Sequence, residues 1–380
     1  MRRLLDIREY REDVLSVAGL GLPWNRLREK TLLITGGTGL IGSFLIDVLR
    51  MADCGCKVLL AGRSEAKAKE RFIEYWSEDF MGFVRWDAGA RALPVIDDAV
   101  DMVLHLASNT HPVAYATDPI GTISTNVISL DNLLSLAAER GCERFLYASS
   151  NEIYGENRGD VELFDERYCG YIDCNTLRAG YPESKRCGEA LCQAYVSQKG
   201  LDCVIARLTR TFGPTALTSD TKAVSQFFGN ALRGEDIILK SAGTQFYSYM
   251  YVPDSVSGLL TVLLKGKTGE AYNVADVTGD ITIRELAEAI ASCSGRNVAF
   301  DIPSATESAG FSRATKARLD GSKLKSLGWT PMRPIREAVA RNYGILRSRY
   351  SDGCVSILSR DLTNSTNCHY PLPTTNHPPA

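Results

Sequence analysis

The stretch Thr31-Leu32-Leu33-Ile34-Thr35-Gly36-Gly37-Thr38-Gly39-Leu40-Ile41-Gly42 decides the fold. An apolar run that reads as a strand feeds a glycine-rich turn, and a helix-like segment follows. Such a turn presents the first N–H groups of the helix, and the positive end of its dipole, as a cradle for a pyrophosphate. The spacing alone is weak, because 32 glycines can produce it by chance. The context identifies a dinucleotide site: a strand before, a helix after, and a place at the head of an alternating pattern. Gly36, Thr38, Gly39, Leu40, Ile41 and Gly42 are therefore candidate cofactor contacts.

Outward from this motif, Lys57 to Ala61, Gly82 to Trp86, Met102 to Leu106, Arg144 to Ser149 and Cys203 to Ala206 read as strands, with helical patterns between several of them. The alternation predicts an α/β fold, a Rossmann-type doubly wound parallel sheet covered on both faces. After Gly213-Pro214 the rhythm changes to helices at Lys222 to Arg233 and Asp254 to Leu264, strands near Ile237 to Lys240 and Tyr272 to Val274, and a helix opened by Thr282 with Glu285 three residues on. This half predicts a smaller C-terminal α/β lobe closing over the strand ends. The expected divisions are a helical extension over 1–28, amphipathic from Leu4 to Val17; a dinucleotide-binding domain over 29–206; and a partly interleaved substrate lobe over 207–350, ending in a helix from Ile335 to Arg349. Residues 351–380, rich in Ser, Thr, Asn and Pro, read as a disordered tail, because they cannot bury enough apolar surface to order themselves.

With 43 basic residues against 45 acidic ones, the net charge of -2 makes no global field that would draw nucleic acid or an anionic membrane. Apolar runs are too short and interrupted to cross a bilayer, and no signal-peptide pattern opens the chain, so a cytoplasmic protein is expected. Cys54 and Cys56 are the only close pair among 11 cysteines, and the four histidines do not cluster; this predicts reduced, mostly buried thiols and no metal.

Two further motifs carry chemistry. Tyr181-Pro182-Glu183-Ser184-Lys185 sets a phenol and an ammonium four residues apart, on one helix face. A protonated lysine beside a phenol favours phenolate, so Tyr181 is expected to have its pKa lowered toward the range of a general base. The plainer alternative is a surface tyrosine with a solvated lysine. The other motif, Tyr147-Ala148-Ser149-Ser150-Asn151-Glu152-Ile153-Tyr154-Gly155, ends a predicted strand where open parallel sheets place their ligands. Ser150 can donate to the oxygen on which Tyr181 acts. Glu152, on the same side if the backbone stays extended, offers a second acid or base; a solvated loop carboxylate is the alternative. At the end of the second strand the chain reads Ala61-Gly62-Arg63-Ser64, with Lys67 nearby, where an acidic residue would bind the ribose of NAD. Arg63 suits the 2′-phosphate of NADP, and NAD stays open.

These motifs, in this order, resemble the extended short-chain dehydrogenase/reductase superfamily of nucleotide-sugar epimerases, dehydratases and decarboxylases, over about residues 29–345. The resemblance implies cofactor contacts at Asp87 and Ala88, at Leu106, Ala107 and Ser108, and at Asn126, besides Tyr181 and Lys185. Arg207-Leu208 and Gly213-Pro214 match the entry to the sugar-nucleotide lobe. Ser150-Asn151-Glu152 has the glutamate that simple epimerases lack, without the aspartate of the glucose 4,6-dehydratases. Arg178-Ala179-Gly180-Tyr181, with Lys185-Arg186 and Glu189, looks most like the UDP-glucuronate decarboxylase branch. That branch implies catalysis by Ser150, Glu152, Tyr181 and Lys185 and substrate contacts at Arg178, Arg210 and Tyr247. Arg210 and Tyr247 depart from the branch, which has asparagine and a diphosphate-gripping arginine there; Arg210 is expected to supply the missing charge. The implied reaction is transient C4 oxidation of a nucleotide sugar with bound NAD or NADP, most simply with decarboxylation, and with 4,6-dehydration or 4-epimerisation as alternatives. A catalytically silent dinucleotide sensor is the reading from another class, but it should have lost the phenol or the ammonium. A homodimer through the helices at Thr125 to Arg140 and from Tyr181 is also implied.

Overall fold

In a computed structural model of the chain, the residues described are 1–90, 92–110, 115, 117–302 and 316–351. The tail expected beyond Ser351 lies, apart from that residue, outside them.

Alternation along the short strands sets the architecture. In β1 (Thr31–Thr35) and β2 (Lys57–Gly62), Leu32, Ile34, Val58 and Leu60 pack into one apolar cluster and Leu33 and Leu59 into another. The sheet is therefore covered on both faces, as parallel strands require. β3 (Met81–Arg85), β4 (Met102–His105), β5 (Arg144–Ser150) and β6 (Cys203–Leu208) follow. Three short strands come next, β7 (Arg210–Phe212), β8 (Ile237–Leu239) and β9 (Phe246–Tyr251), and then β10 (Ala271–Val274). The large sheet has seven strands in the order β10-β6-β5-β4-β1-β2-β3, all parallel. Strand order reverses between β1 and β4, which opens a crevice at their C-terminal ends. β10 comes from the C-terminal half of the chain, so the two halves interleave.

Helix α1 (Arg8–Ala18) precedes the sheet, and α2 (Leu40–Met51) follows β1. Tyr10, Val14 and Val17 of α1 have no exposed surface and join the larger core cluster. The polar bolts are as specific: Asp47 of α2 accepts from Tyr10 Oη at 2.5 Å and Arg71 Nη2 at 2.6 Å, and from the Tyr75 hydroxyl. Asp13 accepts from Tyr251 Oη at 2.8 Å and from Arg333 and Arg341, each at 3.2 Å. The first helix is thus an integral layer, with its buried carboxylate tied to the end of β9.

α3 (Glu65–Arg71) follows β2, capped by Ser64. Two long helices, α4 (Pro119–Glu139) and α5 (Gly180–Lys199), pack side by side over one face. In the other half, α6 (Ala223–Arg233), α7 (Val252–Lys265) and α8 (Ile283–Ser294) surround a small sheet in which β9 pairs with β7, with β11 (Asp280–Thr282) and, beyond β12 (Val298–Phe300), with β13 (Lys316–Ala317). The expected capping box forms at the start of α8: Thr282 Oγ1 accepts from Glu285 N at 3.1 Å and Glu285 Oε2 accepts from Thr282 N at 3.0 Å. α9 (Ser322–Lys325) and α10 (Ile335–Tyr350) complete the described chain.

Candidate active site

The glycine turn folds back on itself. Gly36 sits at φ +70°, and a Cβ there would stand 2.7 Å from Ala107 N; one at Gly42 would stand 2.4 Å from Gly36 O. Both approaches are shorter than real Cβ atoms tolerate, so only glycine lets the loop lie against the end of β4 while α2 begins. No side chain caps that helix, whose N-cap is Gly39. Its leading N–H groups, next to the half-buried Thr38, Leu40 and Ile41, are left for an anion.

Beyond β4, polar bonds tie the crevice wall together. Thr35 Oγ1 lies 2.8 Å from His105 Nδ1 and accepts from Ala107 N at 3.1 Å. Ser108 Oγ donates to Asn126 Oδ1 at 2.7 Å, Asn126 Nδ2 donates to Ser184 Oγ at 2.9 Å, and Ser184 Oγ donates to the Tyr181 carbonyl at 2.8 Å. Asn126 has no exposed surface, and both ends of its amide are used by protein groups. In the structure this amide braces the β4 loop against α5.

Ser150, at the end of β5, and Tyr181, in the first turn of α5, come together. The phenol is 6% exposed, and hydroxyls of both Ser150 and Ser108 hydrogen-bond it. Lys185 Nζ lies 6.0 Å from the centre of the Tyr181 ring and donates to Ala148 O at 2.8 Å. The expected depression of the tyrosine is not found in the chain without ligands. Burial, joined by the Glu152 carboxylate, pushes Tyr181 up to about 12, against the pull of the two serines and Arg178. Burial also pushes Lys185 down to about 7, although Glu189 opposes it. The physical reason is desolvation: at closed sites it disfavours the charged form of both groups.

Glu152 also differs from expectation in its backbone. The strand does not continue through it; Asn151–Tyr154 forms a 3-10 turn, with Glu152 N donating to Ser150 Oγ at 3.2 Å. Arg178 Nη2 donates to Glu152 Oε2 at 2.6 Å. The guanidinium lies over the ring of Tyr115 at 5.1 Å, and that ring stacks on Tyr181 at 4.9 Å. Glu152, Arg178, Tyr115 and Tyr181 are thus one cluster. Tyr115 was not anticipated; it stands outside every motif, and no sequence spacing signals a stacking contact made across the fold.

On the lobe side, the two residues that depart from the branch pattern meet each other. The Arg210 guanidinium lies 3.6 Å from the centre of the Tyr247 ring, and its Nη1 is buried without a hydrogen-bond partner. β7 and β9 run side by side, with Arg210 opposite Tyr249, which brings the pair together. Arg207 is spent within the protein, held by Glu189 at 2.7 Å and donating to Tyr154 Oη at 2.9 Å. At the far end of the crevice Arg63 is exposed after β2; Asp87 is exposed after β3, accepting from Gly89 N at 3.0 Å, and Ala88 is half-buried beside it. Among the described residues no cluster of three or more metal-ligating side chains occurs, and no helix is long and apolar enough to cross a membrane.

Against known proteins, the profile of the NAD dependent epimerase/dehydratase family matches residues 32–275. The chain belongs to that family. UDP-glucuronic acid decarboxylase 3 of Arabidopsis thaliana is 34% identical over 309 residues, 81% of this chain and 86% of that protein. UDP-glucuronic acid decarboxylase 1 of Danio rerio is 32% identical over 345 residues, 90% of this chain and 75% of that protein. The fold is shared with an epimerase from Methanothermobacter thermautotrophicus, at a TM-score of 0.75 and 21% identity over 89% of this chain and 96% of that one. It is likewise shared with a UDP-glucuronic acid 4-epimerase from Bacillus cereus in complex with UDP-glucuronic acid and NAD, at a TM-score of 0.70 and 20% identity over 84% of this chain and all of that one.

For this epimerase/dehydratase family member the residues present fit NAD. The turn that a Cβ at Gly36 or Gly42 would jam lies beside an uncapped helix start, and the wall formed by Leu106, Ala107 and Ser108 leads from it to Tyr181. The glycine turn and the Tyr181 phenol therefore line one crevice.

Proposed function

We propose that this chain decarboxylates a nucleotide sugar whose C5 bears a carboxylate, a substrate of the UDP-glucuronate kind, through transient oxidation at C4. The observation that carries this reading is the engagement of Glu152. Its carboxylate is tied to Arg178 at 2.6 Å, and its neighbour is Asn151 rather than an acid. Dehydration at C5 and C6 needs a free base for the C5 proton and an acid for the leaving hydroxyl; decarboxylation needs neither. The names of the relatives, UDP-glucuronic acid decarboxylases, point the same way.

In this reading Gly36, Thr38, Gly39, Leu40, Ile41 and Gly42 hold the cofactor diphosphate, and Asp87, Ala88, Leu106, Ala107 and Ser108 line its path. Bound NAD, or NADP if Arg63 takes a 2′-phosphate, supplies a reversible two-electron acceptor at the sugar C4. Tyr181 accepts the proton of the 4-hydroxyl. Ser150 favours its phenolate by donating to it, and Lys185, titrating near 7, can hold a proton in the working range. Once C4 is a ketone, the substrate is a β-keto acid. Breaking the bond from C5 to the carboxyl carbon releases carbon dioxide and moves its electron pair into an enolate, whose oxygen Tyr181 can protonate with the proton it took from the 4-hydroxyl while Ser150 donates a hydrogen bond to it. C5 then takes a proton as the enol oxygen gives its own back to Tyr181, and C4 would return to the alcohol with the two electrons that the cofactor accepted at the start and the proton that Tyr181 holds. Arg178 holds Glu152 and so sets where the ring can sit. Arg210, stacked on Tyr247, supplies positive charge for the substrate diphosphate. We also propose a homodimer through α4 and α5.

Incubating the purified protein with UDP-glucuronate, UDP-glucose and UDP-N-acetylglucosamine, and weighing the products, tests the reading. Loss of carbon dioxide from the first substrate alone is expected. A water-loss product from UDP-glucose, or an isobaric isomer in place of decarboxylation, would overturn it in favour of dehydration or epimerisation.

A further inference from the structure

We propose that Cys54 and Cys56 form a reversible dithiol–disulfide site that exchanges with small disulfides of the glutathione class. The pair stands in the turn between α2 and β2, at the N-terminal edge of the parallel strands, the opposite end of the sheet from Tyr181. Cys54 Sγ lies 3.5 Å from Cys56 Sγ. The backbone that brings them together is unusual: Gly55 has φ +70°, and Asp53, with a Cβ, has φ +46°. Backbone bonds hold the turn from outside, with Glu29 N donating to Gly55 O at 3.0 Å and Lys57 N to Lys30 O at 2.8 Å.

Both cysteines line an open cavity of about 460 Å³ that Glu29, Lys30, Arg50 and Glu78 also line, so the mostly buried pair stands beside an open approach. A second neighbouring pair, Cys192 and Cys203, shows what a structural pair looks like: neither residue has exposed surface, and neither lines this cavity. Contact with the Cys56 sulfur and with backbone N–H groups pulls the Cys54 thiol down to about 7 against its burial, while the contact with Cys54 and burial push Cys56 up. This fixes the order of attack. The Cys54 thiolate attacks one sulfur of the small disulfide, forming a mixed disulfide and releasing one thiolate. Cys56 loses its proton to solvent and attacks Cys54 Sγ, expelling the second thiolate. The protein pair is oxidised by two electrons, and the small disulfide is reduced to two thiols.

Trypsin supplies a clean readout, because the peptide Met51–Lys57 contains both cysteines and no other. The intact protein is equilibrated with oxidised and reduced glutathione at graded ratios, quenched by alkylation, digested and weighed. We expect this peptide to carry an internal disulfide under oxidising ratios and to regain two alkylatable thiols under reducing ones. Cys56→Ser should stop at a stable Cys54–glutathione adduct, and Cys54→Ser should leave Cys56 unmodified. Near pH 7, Cys54 should alkylate about tenfold faster than an unperturbed thiol. The proposal is overturned if the wild-type peptide keeps two free thiols while the exposed Cys187 is glutathionylated, or if it persists as a single adduct.

Discussion

Lys185 offers a quantitative test of how burial tunes the site. Its side chain is 2% exposed, and burial pushes its amine down to about 7. In the unfolded chain the amine returns to about 10.4. Between those values the unfolded state binds a proton that the folded state does not, so lowering the pH favours unfolding. The stability associated with this position is complete above the unfolded value and is lost as the pH falls through the folded one. One proton changes stability by about 1.4 kcal/mol per pH unit, so from about pH 7.5 to about 9.5 the wild type should gain roughly 2–3 kcal/mol relative to Lys185→Met, which cannot titrate. The variant also loses the bond to Ala148 O, at about 1 kcal/mol, but that loss is the same at every pH and leaves the slope untouched. Urea unfolding of the cofactor-free proteins at three pH values measures both terms. Parallel stability lines for wild type and variant would show that the amine is not held neutral by burial, and the reasoning would fail.

Tyr181→Phe removes the proton acceptor while keeping the ring that stacks on Tyr115, and should lower kcat by about 10²–10⁴ with little change in KM; undiminished turnover would remove Tyr181 from the reaction. Gly36→Ala places a Cβ 2.7 Å from Ala107 N at a positive φ, and should weaken dinucleotide binding at least about tenfold by calorimetry in a protein that still folds; unchanged affinity would place the phosphates elsewhere. Asp13→Ala leaves Tyr251, Arg333 and Arg341 without their shared carboxylate, and should cost about 3–5 kcal/mol in urea unfolding, an effect absent if α1 merely rests on the surface. Arg63→Asp should shift cofactor preference toward NAD over NADP, read as the ratio of the two affinities, and an unmoved ratio would leave Arg63 as a solvated loop residue.

What could be read from the chain was short-range. A strand, a glycine turn and a helix start are contiguous, so Thr31 to Gly42 announce their own geometry. Tyr181 and Lys185 share a helix turn, and Ser150 ends a strand whose apolar run is unbroken, so each was placed without knowing its neighbours. Where reasoning from sequence went astray, the missing quantity was always environmental. The extended backbone on which the placing of Glu152 was conditional ends at Ser150, and nothing local signals the 3-10 turn at Asn151–Tyr154. The burial of Asn126 between Ser108 and Ser184 was equally hidden, because it depends on how α4 and α5 meet.

The sequence by itself determined the glycine turn, the parallel sheet behind it and the presence of a phenol, a hydroxyl and an amine near the strand ends, because each follows from spacing within one or two elements. Only the tertiary structure decided how those groups are tuned. Tyr115 reaches Tyr181, Arg178 reaches Glu152 and Arg210 reaches Tyr247 across gaps that no periodicity encodes. The protonation of Tyr181 and Lys185 was decided there too, because desolvation is set by everything that packs over a group, and a residue's immediate neighbours in the chain supply only a small part of that cover.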